Sequence, residues 1–136
     1  MSTDRIPDLH AGESEKLLFK EETHQILGCA FEVLNHLGPG LHEKAYENAL
    51  VVEFKLRGIS FDQQRRFDVL FKEHQVAVYV PDLLVFGTII VDTKTIPKIG
   101  QVEEAKMLNY LSHTKLRLGL ILNFYHPRLE WVRKVR

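Results

Sequence analysis

The sequence predicts one domain of the α/β (α+β) class, and three observations predict it. Apolar residues recur at helical spacing through residues 19–57, then alternate or cluster as strands do through residues 61–94. One further helical stretch follows, bracketed by strands. With 136 residues, 45% of them hydrophobic, the chain is long enough for one real core. Residues 1–18 are polar and mixed, with Pro7 and Gly12, and are expected as a loose tail ahead of a single domain at 19–136.

The first helix is expected over about 19–37, where Ile26, Ala30, Val33, Leu34 and Leu37 share one face. Gly38-Pro39-Gly40 stops it. A second helix over about 42–57 carries Tyr46, Leu50, Phe54 and Arg57 at near-fourfold spacing, with Gly58 as its cap. Strands are expected over 61–71 and 75–85, joined at Lys72-Glu73, and over 88–94 after a tight turn at Gly87. Pro81 removes a ladder donor, so it belongs at an edge, a bulge or a strand start. A loop at 96–100 leads to a helix over 101–113. An apolar strand over 116–124 with the composition of a buried one follows, and a polar-alternating strand over 129–135 closes the chain.

Composition excludes several classes. Lys+Arg and Asp+Glu both number 18, so the formal net charge is zero, unlike a dedicated nucleic-acid coat. Bases do gather late: Lys115, Arg117, Arg128, Arg133, Lys134 and Arg136 against Glu130 alone, which reads equally as a basic surface or as a solvated strand edge. Cys29 is the only cysteine, so no intramolecular disulfide forms, which fits a reducing cytoplasm; its apolar helical setting makes it a core residue. No apolar run approaches the roughly 18 residues of a membrane span, and the polar start has no signal-peptide pattern. There is no serine nucleophile motif, no phosphate-cradling glycine loop and no His/Cys cluster.

The chemistry-bearing stretch is 80–94. Asp92 and Lys94 alternate along one strand and project together, and pairing of the flanking strands brings Asp82 beside Asp92. Charges in so apolar a setting are costly unless paired or bound to a metal. The plainer alternative is a surface hairpin with an Asp–Lys ion pair. Upstream, Glu43 and Tyr46 are neighbours on the first turn of a helix. That spacing serves a site, or equally a carboxylate favoured by the helix dipole beside a core tyrosine.

Together, Gly40-Leu41-His42-Glu43-Lys44-Ala45-Tyr46, Pro81-Asp82 and Asp92-Thr93-Lys94 resemble the GxxExxY family of the PD-(D/E)xK nuclease superfamily, over about residues 22–131 and including Leu108-Asn109-Tyr110-Leu111. The resemblance implies a restriction-endonuclease-like core, a mixed central sheet of about four to five strands with helices on both faces. It implies hydrolysis of nucleic-acid phosphodiesters with Mg²⁺ or Mn²⁺. Glu43, Asp82 and Asp92 would hold the metal, and Lys94 would orient or activate the attacking water. Tyr46, Lys106 and Tyr110 would contact substrate or support those that do. DNA and RNA both stay open as partner, as does a homodimer, and the setting implied is cytoplasmic.

Two residues depart from the family pattern. Asp92 stands where Glu is more usual, one methylene shorter. Lys106 stands where exonuclease-like relatives carry the Gln of Gln-x-x-x-Tyr. Lys106 is expected to point towards the acidic pocket and contact a carboxylate or a substrate phosphate, with a solvated surface lysine as the alternative, while Met107, Leu108 and Leu111 pack on the sheet. The alternative function is a module that keeps the fold and binds nucleic acid or protein without cutting.

Overall fold

A computed structural model describes residues 18–136, and all but the last residue of the expected tail lie outside the described residues. Helices α1 (Lys20–Leu37) and α2 (Glu43–Arg57) bury most of the faces that their periodicity marks, but Leu37, the last residue of α1, is 42% exposed. Ile26, Ala30, Val33 and Leu34 from one, with Tyr46, Leu50 and Phe54 from the other, enter one apolar cluster. Cys29 joins it, and burial pushes its thiol above the ordinary range, as suits an inert core residue.

After α2 come β1 (Phe61–Gln63), β2 (Phe67–Phe71), β3 (His74–Tyr79), β4 (Leu83–Val85) and β5 (Ile89–Lys94). Helix α3 (Gln101–Thr114), β6 (Leu118–Asn123) and β7 (Glu130–Val135) complete the chain. The five-stranded sheet runs β1-β4-β5-β6-β7. Its β5–β6 pair is parallel and its other pairs antiparallel, so the sheet is mixed. Strand β6 is buried at all six residues, as expected of a central strand covered on both faces.

Two expected strands are each broken in two. The 61–71 run turns out of the sheet at Gln64, whose φ of 60° no strand residue adopts, and resumes as β2. The 75–85 run breaks at Val80-Pro81, where proline offers no ladder donor. Strands β2 and β3 therefore pair only with each other. This separate ribbon packs Phe67 and Tyr79 beside α3 and leaves Leu70, Phe71 and Val76 exposed.

Side-chain alternation along β5 decides where the chemistry faces. Ile89 and Val91 bury against the α1–α2 cluster, while Ile90 enters a second cluster with Met107 and Leu111 of α3. Asp92 and Lys94 are in phase with Ile90 and so open towards α3. Gly119 on the neighbouring strand lets that helix approach, since a Cβ there would run into the Met107 side chain. Leu108, expected on the sheet side, is 37% exposed. The buried arc is only as wide as Met107 and Leu111, one turn apart, and Leu108, the residue after Met107, is rotated about 100° from it.

The late basic run lies largely on and around edge strand β7, where it fastens the edge. Lys134 pairs with Glu104 at 2.9 Å. Arg133 donates to the Leu18 carbonyl, Arg117 to that of Arg136, and Arg136 to that of Leu116. Among the described residues no helix is long and apolar enough to cross a membrane.

Candidate active site

The β4–β5 hairpin builds the centre. Phe86 and Gly87 both take positive φ, 58° and 69°, and Thr88 N–H bonds the Val85 carbonyl, closing a tight turn within the three-residue connection 86–88 that pairs Val85 with Ile89. The register Leu83↔Val91, carried one residue further, sets Asp82 opposite Asp92. Asp82 N–H donates to Asp92 Oδ1 at 3.2 Å. Thr93 donates twice to Asp82 Oδ2, from its N–H at 2.8 Å and its hydroxyl at 2.9 Å. Backbone thus holds both carboxylates, and Asp82 Oδ1 and Asp92 Oδ2 have no hydrogen bond among the described residues.

Glu43 arrives as the first residue of α2, where its Oε2 accepts Thr95 N–H at 3.3 Å. What aims this helix start is Tyr46. Its hydroxyl donates to the Gly38 carbonyl at 2.7 Å and accepts Leu41 N–H at 3.1 Å, pinning the Gly-Pro-Gly turn to the helix it precedes. Its ring stacks on Phe124 with centroids 4.6 Å apart. Tyr46 does not line the pocket; it acts on the site only through the loop.

One turn further, buried Glu47 accepts hydrogen bonds from Lys44 (3.1 Å), Gln63 (2.7 Å) and Gln64 (2.9 Å). This carboxylate ties α2 to the point where the chain leaves the sheet. Sequence reasoning passed over it, because its donors lie up to 17 residues away. Glu103 was passed over too. Its only sequence signal is its place as the third residue of α3, where its carboxylate reaches back to Gly100 N–H at 2.7 Å. That bond, helped by Lys94 and Lys106, holds Glu103 below the usual carboxylate range.

A cavity of about 210 Å³ gathers Glu43, Asp82, Asp92, Lys94, Lys106 and Tyr110, together with Glu103 and Tyr79. Among the described residues neither Lys94 nor Lys106 has a carboxylate oxygen within 4 Å. The site is therefore not the Asp–Lys ion pair of the plainer reading. Burial first, and Asp82 second, push the Asp92 carboxyl up to about 6; Asp82 N–H and Lys94 pull the other way. Two acids crowded in a half-dry pocket favour a cation between them.

The donor set fits a divalent ion of the Mg²⁺ type. Such ions take hard oxygens, usually one or two carboxylates, and complete their shell with water and substrate phosphate. Asp82 and Asp92 each offer an unclaimed oxygen, and Glu43 Oε1 is a third. Among the described residues no three His, Cys, Asp or Glu side chains form a ready-made metal cluster. The arrangement is thus an open acidic pair with Glu43 nearby.

Acids paired across two adjacent strands, beside a lysine with no carboxylate partner among the described residues and under a helix, lie here in a five-stranded mixed sheet flanked by three helices. That defines a restriction-endonuclease-like domain. A family model described as the PD-(D/E)XK nuclease superfamily matches residues 20–134, and the chain belongs to that superfamily. Its members are nucleases that in general depend on divalent metal ions. No curated protein and no solved structure matches the chain.

Proposed function

We propose that this protein is a metal-dependent phosphodiesterase of the GxxExxY group that cuts nucleic acid in the Asp82–Asp92 pocket. The observation that carries the proposal is the Lys94 ammonium, unpaired among the described residues, in the same pocket as two backbone-held carboxylates. Gly40, Glu43 and Tyr46 support the subgroup. Glu43 reaches the pocket, and Tyr46 fixes the turn that aims it.

Asp82, Asp92 and Glu43 would hold Mg²⁺ or Mn²⁺, which when bound would polarise the scissile phosphate and lower the pKa of nearby water. Lys94 donates a hydrogen bond to the attacking water or to a phosphate oxygen, and its charge opposes the negative charge that develops there. Lys106 and Tyr110, one turn apart on α3, form the facing wall, with Lys106 placed for a neighbouring phosphate. Lys106 also favours a second reading. A cation where relatives carry an amide suits a module that grips phosphate without cutting it.

The test is titration of Mg²⁺ and Mn²⁺ against labelled DNA and RNA, single- and double-stranded. Wild type is expected to cut only with the cation, and Asp82→Ala to cut about 100-fold more slowly or not at all. Equal cutting by both proteins would overturn the proposal. Tight binding with no cutting at any cation concentration would establish the second reading.

A further inference from the structure

Tyr79 ends β3, three residues before Asp82, and lines the same pocket. Its ring stacks on Tyr110 with centroids 3.6 Å apart and 14° between planes, and lies 6.4 Å from Phe67. The ring is thereby fixed, and the hydroxyl with it. That hydroxyl is buried and has no hydrogen-bond partner among the described residues. A buried O–H left without an acceptor is costly, and the rest of this pocket shows where one would come from. Asp92 and Asp82 lie near enough to help burial hold the Tyr79 hydroxyl well above its usual range, yet neither takes its proton in a hydrogen bond. Lys94 and Lys106 likewise face the cavity without a carboxylate partner. Three donors therefore line one cavity with no protein acceptor among the described residues, and of the three only the Tyr79 hydroxyl is buried.

We propose that the Tyr79 hydroxyl is a substrate-binding donor that hydrogen-bonds a non-bridging oxygen of a nucleic-acid phosphate seated in the pocket. This rests on the nuclease reading above. A phosphodiester presents two such oxygens, acceptors only, and meets the need of Tyr79 as well as of the two lysines. A neutral donor also has an advantage beside paired acids. A third cation at this position would pair with Asp92 and compete with any metal for it, whereas a tyrosine stays protonated and leaves both carboxylates free.

Tyr79→Phe keeps the ring stack and deletes only the hydroxyl. Melting of the free protein and binding of labelled DNA and RNA are measured together, with Ca²⁺ in place of Mg²⁺ to hold substrate. The variant is expected to melt no lower than wild type, because an unsatisfied hydroxyl is gone. It is expected to bind about 10-fold or more weakly, the loss of a hydrogen bond to a charged group. Unchanged affinity in a protein whose wild type binds would overturn the role of Tyr79 alone. A lowered melting temperature, with binding reduced only in step with the folded fraction, would make the hydroxyl structural and overturn it too. Wild type that neither binds nor cuts any of these nucleic acids would overturn the reading of the site and this role with it.

Discussion

Lys94→Ala is expected to lower cleavage about 100-fold or more, the range for losing a group that stabilises transition-state charge. The same change is expected to leave melting nearly untouched. Lys94 has no carboxylate within 4 Å among the described residues, so its removal orphans no buried partner. Its backbone carbonyl still accepts Phe124 N–H, and the β5–β6 ladder is unaltered. A structural ion pair would behave differently, losing about 3–5 kcal/mol when one partner is deleted. Cleavage and thermal melting of the same preparation separate the two. Activity that falls only with the folded fraction would show that Lys94 serves the fold.

Asp92→Asn is expected to abolish cleavage and yet stabilise the cation-free protein. The Asp92 carboxyl sits at about 6 against an ordinary 3.8, through burial and then Asp82. The sign follows from where protons bind. Between about pH 4 and 6 the unfolded chain has released this proton while the folded chain keeps it, so folding loses stability as pH rises through that window. Above it the loss is complete and amounts to about 3 kcal/mol. Asparagine carries no such loss, and its amide oxygen still accepts Asp82 N–H. In EDTA at pH 7.5 the variant should melt several degrees above wild type, with the gap closing near pH 4. Adding Mn²⁺ at pH 7.5 should narrow it again, because only wild type gains from binding. A variant that melts lower than wild type at every pH would contradict this account of the pocket.

The acids and Lys94 were legible because strand geometry is simple. A period of two sets Asp92 with Lys94, and the hairpin connection Phe86-Gly87-Thr88, which pairs Val85 with Ile89, brings Asp82 opposite Asp92. The helices were legible for the same reason, as Ile26 to Leu34 and Tyr46 to Phe54 show. Reading 61–71 as one strand passed over Asp62-Gln63-Gln64-Arg65-Arg66, five polar residues with no alternation, which is where the chain turns out of the sheet at Gln64. The rest of what escaped depends on contacts between distant segments. Glu47 is an ordinary helix glutamate until Gln63 and Gln64 fold over it. Tyr46 reads as a neighbour of Glu43, but its hydroxyl turns back to Gly38 and Leu41. Tyr79 becomes part of the site only when the ribbon leans on Tyr110 of α3.

Calorimetric titration of Mn²⁺ into nucleic-acid-free protein at pH 7.5 tests most directly that Asp82 and Asp92 form a cation site. Wild type should show a saturable heat of binding, and Asp82→Ala, folded by circular dichroism, should show none, since it loses one unclaimed oxygen and the N–H-braced pairing with Thr93. Equal heats from the two proteins, or no heat from wild type, would contradict it.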